Sequence, residues 1–155
     1  MKIDKVVVNN RKKTLEIKTS KRQFALPFAR LRLKPTTRNR VAKIYVDKEL
    51  GFKAVTYLLQ SGEEDSIHLD AFLDYNRDPD FLRDVTLHKL SIEAQKLFKK
   101  AGLSKQEVMR RMKTSAGQLY RLLDPANYNK TVDQMLKLIA VLGYAVDMSI
   151  HKLAA

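Results

Sequence analysis

The sequence predicts an α+β protein, with a small β-rich N-terminal domain followed by an all-α domain that ends in a strand. Short alternating or β-branched runs fill the first 70 residues, which is typical of strands. From Ser91 onward, apolar residues recur at helical spacing. Three helix-capping sequences then divide this later part into short helices. We therefore place the two domains at residues 1–76 and 77–155.

The predicted strands differ in strength. The runs at 41–46 and 54–59 are β-branched and aromatic, whereas three earlier runs are short and apolar or alternating. The polar stretch 61–65 predicts a turn, so residues 54–69 are expected to form a hairpin. The three earlier runs are Val6 to Val8, Leu15 to Ile17 and Phe24 to Leu26.

The helices are predicted mainly from their first residues. A short helix is expected at 71–75, and Asp78-Pro79 then begins another, with Asp as the N-cap and Pro in the first turn. Ser91 is expected to cap a further helix that Gly102 ends.

Three capping boxes are predicted beyond Gly102, each pairing a hydroxyl with a Glu or Gln three residues later. They begin helices at Lys105 to Met112, Ala116 to Leu123 and Val132 to Leu142. The alternating stretch Tyr144 to Ile150 predicts the final strand. The boxes are Ser104 with Glu107, Ser115 with Gln118, and Thr131 with Gln134.

The charge of the chain predicts a polyanionic partner. Thirty Lys and Arg against 17 Asp and Glu give a net charge of +13. Residues 1–48 carry +12, residues 49–88 carry −6 and residues 89–130 carry +7, so an acidic belt separates two basic regions. There is no Cys, and neither a signal peptide nor an 18-residue apolar run is present. We expect a cytoplasmic protein without a membrane span.

The segment from Gly102 to Leu123 resembles the helix-turn-helix of lambda-repressor/Cro-type bacterial regulators. Its continuation is similar to the antitoxin-like branch of that family, and the resemblance covers residues 91–155. Two positions depart from the family pattern, since Met109 stands where a small residue is usual and Lys113 where Gly is usual. The resemblance implies that the second helix of the pair lies in the major groove of DNA.

The residues expected to contact DNA are those that the apolar positions leave outside. Gln118 can pair with adenine, and Arg121 with guanine or phosphate. Lys105 and Gln106 begin a helix, where amides and the helix dipole favour phosphate. The resemblance to the lambda-repressor/Cro family implies base contacts at the matching positions Gln106, Ser115, Ala116, Gly117, Gln118 and Arg121. With the flanking residues added, the full set of expected DNA contacts is Ser104, Lys105, Gln106, Arg110, Lys113, Ser115, Ala116, Gly117, Gln118, Tyr120, Arg121 and Lys130.

Structural interpretations of the same residues stay open. Gln118 could serve only as the capping partner of Ser115, and Tyr120 could pack on the domain edge. Arg110 and Arg111 could be a solvated face, and the whole unit could be a helical bundle without DNA affinity.

The sequence contains few features that would support an enzymatic function. The three histidines, His68, His88 and His151, lie far apart, and none has a His or Cys at ligand spacing. There is no phosphate-binding Gly-rich loop and no nucleophile motif. We expect neither catalysis nor a metal or cofactor.

The expected function is therefore sequence-specific binding of double-stranded DNA by a homodimeric repressor. Two alternatives remain. The protein could be an antitoxin whose N-terminal domain holds a toxin, or a general RNA- or nucleic-acid-binding protein that uses its basic strands.

Overall fold

The computed structural model describes residues 1–153. The chain divides into two compact units, Met1–Leu82 and Arg83–Ala155. Residues 154 and 155, the last two of the predicted second domain, lie outside the described residues.

The first unit contains two three-stranded antiparallel sheets, each with its strands in chain order. In the first sheet Ile17 of the central strand lies opposite Val6 on one side and Phe24 on the other. In the second sheet Val55 pairs with Val46 and Ile67. The strands are β1 Ile3–Asn9, β2 Thr14–Thr19, β3 Gln23–Pro27, β4 Val41–Val46, β5 Ala54–Leu59 and β6 Glu64–His68.

The core of this unit follows from the strand pattern. Leu15 and Ile17 on β2 are buried while Lys18 is exposed, as the two-residue period of a half-buried strand requires. The central strand β5 is apolar at nearly every position and is buried along most of its length. Helix α1, Leu69–Tyr75, adds Phe72 to the same core.

The second unit is helical. Helix α2, Pro79–Ala101, begins in the first unit and supplies Leu87 and Ala94 to the core of the second. The Asp78 carboxylate accepts the Phe81 amide hydrogen at 3.1 Å, which satisfies an unpaired donor of the first turn. Three shorter helices complete the unit: α3 Lys105–Met112, α4 Ala116–Leu123 and α5 Val132–Val141.

The predicted fold class is wrong. The chain is α+β, with two separate three-stranded antiparallel sheets followed by helices, and the description of a β-rich domain plus an all-α repressor-like domain with a final strand does not fit it. The stretch Tyr144 to Ile150 forms no strand, although its residues alternate. A strand needs a neighbour for its backbone hydrogen bonds, and within residues 1–153 none pairs with this stretch.

The prediction of two helices between Asp78 and Gly102 is also wrong, because α2 is one helix of 23 residues. Ser91 is not an N-cap. It is buried within α2, where its hydroxyl donates to the Leu87 carbonyl at 2.8 Å. Serine in a helix interior can make this bond one turn back, and sequence alone does not distinguish it from a cap.

Candidate nucleic-acid interface

Helices α3 and α4 are joined by a tight three-residue turn that begins at Lys113. Lys113 adopts a left-handed conformation with φ of 54°. Its amide donates to the Arg110 carbonyl at 3.2 Å, and the Thr114 amide donates to the Met109 carbonyl at 3.0 Å. This is the Schellman arrangement, which ends a helix and usually places Gly at the left-handed position.

Hydroxyl caps begin α3, α4 and α5, but only one predicted capping box is complete. The Thr131 hydroxyl and the Gln134 side chain satisfy each other's backbone amides. At Ser104 and Ser115 only the bond to the serine hydroxyl is present. The Glu107 backbone amide donates to the Ser104 hydroxyl at 3.1 Å, and the Gln118 backbone amide donates to the Ser115 hydroxyl at 3.3 Å. The Glu107 and Gln118 side chains instead turn toward arginines on their own helices.

Most of the expected contact residues are exposed in the structure. Arg121 is half-buried, and Lys130 is only 3% exposed. The exposed ones are Ser104, Lys105, Gln106, Arg110, Lys113, Ser115, Ala116, Gly117, Gln118 and Tyr120. We call the exposed residues of α3, α4 and their caps the α3–α4 face.

The N-terminal end of α4 is open at Gly117. A Cβ atom built on Gly117 would meet no atom within 4 Å, and its φ is not positive. The other glycines of the chain, Gly51, Gly62, Gly102 and Gly143, all have positive φ. Gly117 is thus required neither by its backbone conformation nor by packing within its own chain.

Lys105 and Tyr120 connect the two helices across the exposed side. The Lys105 ammonium lies 4.8 Å from the centroid of the Tyr120 ring and 3.1 Å from its hydroxyl. Tyr120 is 53% exposed, as expected of an outward-facing residue, and the structure does not support the alternative that it packs on the domain edge. The pair brings a cation to the side of α4 that faces solvent.

Glu107 forms ion pairs with two arginines of α3. Its carboxylate accepts from Arg110 at 2.5 and 3.0 Å and from Arg111 at 2.8 Å. The hydrogen bonds from Arg110 and then Arg111 lower the pKa of Glu107 to about 2. Arg110 and Arg111 are exposed but ion-paired, so in the absence of a ligand their charge is partly compensated.

Arg121 holds Gln118 and the loop that follows α4. Its guanidinium donates to the Gln118 side-chain carbonyl and to the Asn129 backbone carbonyl. The remaining nitrogen, Nε, is buried and has no hydrogen-bond partner. Arg121 therefore contacts its own chain more than solvent, and it holds the side-chain amide group of Gln118 beside it.

Lys130 does not lie on the α3–α4 face, and the prediction that it adds charge there is wrong. Its ammonium is buried and donates to the Ser91 hydroxyl at 2.5 Å and to the carbonyls of Asp124 at 2.7 Å and Leu122 at 3.0 Å. Burial lowers its pKa, while the Asp124 charge opposes that shift. A Lys at the end of a helix compensates the negative end of the helix dipole.

The C-terminal end of α4 is satisfied by side chains from elsewhere in the unit. Besides Lys130, the Gln95 amide of α2 donates to the Leu123 carbonyl at 2.7 Å. Arg83 donates to the carbonyls of Tyr128 at 2.9 Å and Lys130 at 3.0 Å. Sequence reasoning missed these roles of Gln95 and Arg83, because no spacing rule links α2 to carbonyl groups 28 or more residues later in the chain.

Comparisons with known proteins add no assignment to this geometry. No protein-family model matches the chain, and no curated protein or solved structure matches it. Within residues 1–153, no helix is both long enough and apolar enough to cross a membrane. In the same range, no cluster of three or more His, Cys, Asp or Glu residues is arranged to hold a metal ion.

Proposed function

We propose that the protein is a sequence-specific DNA-binding regulator that inserts α4 into the major groove. The observation that carries this proposal is Gly117. Glycine in a helix interior costs about 0.5–1 kcal/mol relative to alanine, and it costs less in the first turn, where Gly117 lies. Neither backbone conformation nor packing within the chain explains that cost at Gly117. Close approach of a base edge or a phosphate to the first turn of α4 would explain it.

Charge on the same face supports the proposal. Lys105 and Lys113 are exposed and form no ion pair within the described residues. The first turn of α3 adds the exposed Gln106 and the positive end of its dipole. These groups suit phosphates on either side of a groove, where they would fix the position of α4 without reading sequence.

Gln118 is the proposed base-reading residue, and Arg121 the residue that orients it. The Gln118 carbonyl oxygen has two lone pairs, so it can accept from Arg121 and from the adenine amino group together. Its amide hydrogens remain available for adenine N7. In this proposal Arg121 acts through Gln118 and not by its own contact with guanine.

Selection of binding sites from a random duplex library, followed by anisotropy titrations, tests the proposal. Gln118→Ala should lose about 1–3 kcal/mol of discrimination between selected and scrambled duplexes. Lys105→Ala should weaken both duplexes alike and reduce the salt slope by about one unit. Lys96→Ala is the matched control, because Lys96 is an exposed lysine on α2 that pairs with Glu93. Equal affinity of the wild type for all duplexes would refute specific readout.

We further propose a homodimeric bacterial repressor that acts in the cytoplasm. One eight-residue helix contacts few base pairs, and two half-sites multiply specificity. The segment after α5 exposes Met148 by 75% and Ile150 by 99%, which makes it the candidate contact between copies. Sedimentation of wild type and Ile150→Asp over a range of concentrations tests this, since the variant should already be monomeric at protein concentrations at which the wild type is still a dimer. If the wild type and the variant both sediment as monomers, the proposed dimer is contradicted.

A further inference from the structure

The first unit contains a basic cleft that the proposed DNA-binding face does not include. It has a volume of about 490 Å³ and lies between the β1–β2 turn and the segment 35–40. Three cationic side chains line it, and no acidic residue does. The cations are Arg11, Lys13 and Arg40, and the remaining wall includes Thr36, Thr37 and Phe28.

The three cations are not neutralised by the protein. Within residues 1–153 none of them forms an ion pair, whereas Arg22 and Arg32 of the same unit pair with Asp78 and Asp65. A cleft lined by cations and by no acidic side chain has a positive potential, which attracts anions. The arrangement therefore favours an anionic ligand.

The walls of the cleft are held by bonds that do not depend on a ligand. The Lys13 carbonyl, in a turn where Lys13 has φ of 56°, accepts the Phe28 amide hydrogen at 2.8 Å. From the core, the Tyr57 hydroxyl donates to the Leu33 carbonyl at 2.5 Å.

Segment 35–40 is also attached to the turn after β5. The Asn39 amide group donates to the Ser61 hydroxyl at 3.0 Å and accepts the Ser61 backbone hydrogen at 2.9 Å. The Gln60 amide donates to the Arg40 carbonyl at 2.9 Å. A cleft fixed in advance loses little conformational entropy when a ligand binds.

The chemistry of the lining identifies the ligand class. Arginine presents a planar fork to phosphate oxygens, lysine adds a point charge, and the Thr37 hydroxyl can donate a further hydrogen bond. A single phosphate would leave most of the volume empty, and Phe28 and Pro35 offer apolar surface beside the cations. We propose that this cleft binds a nucleoside phosphate, either as a free nucleotide or as one unit of a single strand.

Isothermal titration with adenosine monophosphate, and anisotropy with a uridine oligomer of about 12 nucleotides, test the proposal on the full chain. Both are done on the wild type and on Lys105→Ala, which should bind the probes alike if the cleft holds them, whether or not the proposed DNA-binding face functions. Adding Arg11→Ala with Arg40→Ala should weaken binding at least about tenfold, since two phosphate contacts are lost. Circular dichroism and thermal unfolding check that each variant folds.

The matched control removes the same charge from outside the cleft, with Lys18→Ala and Lys48→Ala on exposed positions of the same unit. Its affinity for the probes should stay within about twofold of that of the unsubstituted protein, because salt screens charges that lie far from the bound phosphate. Binding of the monophosphate identifies a free nucleotide as ligand, and binding of the oligomer alone identifies a strand. Binding of neither probe, or equal weakening by the control, would overturn the proposal.

Discussion

The ammonium of Lys130 lies 2.5 Å from the hydroxyl of Ser91, and that hydroxyl donates to the Leu87 carbonyl one turn earlier on α2. This chain of bonds, together with the carbonyls of Leu122 and Asp124, encloses a charged group in the core of the second unit. A buried charge is tolerated only where its hydrogen bonds are satisfied. The Ser91–Lys130 contact therefore connects α2 with the end of α4.

Replacing Lys130 by Met should destabilise the protein by about 1–3 kcal/mol, because buried carbonyl groups lose their donor. Urea unfolding measures this free energy. Lys137→Met is the matched control, since Lys137 is exposed and only pairs with Asp133 one turn away. The control should change stability by less than about 0.5 kcal/mol. Equal stability of Lys130→Met and wild type would contradict the structural role.

The ionised Glu107 side chain should make the free energy of unfolding fall at low pH. Its pKa is about 2 in the folded protein against 4.5 as the ordinary value, so the folded state favours the ionised form. The stabilisation is fully present above pH 4.5 and is lost as the pH falls through about 2. Unfolding free energies of wild type and Glu107→Gln should therefore differ at neutral pH and converge in acid. A difference that stays constant down to pH 2 would exclude this linkage.

Lys113→Gly should stabilise the protein by about 1 kcal/mol, because lysine is strained in the left-handed conformation that the turn requires. Thermal unfolding provides the measurement. The reverse change, Gly102→Ala, serves as its counterpart, since Gly102 has φ of 67° and should lose a similar amount. A destabilised Lys113→Gly variant would show that the lysine side chain contributes more than its backbone costs.

Gly117→Ala separates stability from binding. The added methyl group meets no atom of the protein within 4 Å, and alanine favours the helix by at most about 0.5–1 kcal/mol, the value for a helix interior. The variant should unfold at a higher temperature and bind selected DNA more weakly, because the methyl group occupies space that the ligand needs. Retention of full DNA affinity by this more stable variant would argue against close approach at the first turn of α4.

Local rules predicted most individual elements but not their arrangement. The runs at 41–46 and 54–59 are strands as predicted, and α3 and α4 begin after their serine caps. These features depend on residues close in sequence. The continuous helix α2 instead buries Ser91, which accepts a hydrogen bond from Lys130, 39 residues later, and local sequence patterns do not contain such a contact.

The same distinction applies to the candidate interface. Exposure of Lys105, Gln106 and Gln118 follows from helical periodicity, and the structure exposes all three. The burial of Lys130 could not be predicted in this way, because its partners lie on α2 and at the end of α4. Likewise, the alternation of apolar and polar residues from Tyr144 to Ile150 shows which side chains would lie on the same face of a strand. It does not show whether a neighbouring strand exists to pair with it.

The bonds at the C-terminal end of α4 have a consequence for the proposed DNA contact, because they offer a way to change its target preference from a distance. An eight-residue helix is about 12 Å long, so a small tilt about its last turn moves its first turn the most. Gln95 and Lys130 set that last turn, and neither lies on the α3–α4 face. Substitutions at these two positions would redirect Gly117 and Gln118 while leaving every residue at the proposed DNA contact unaltered.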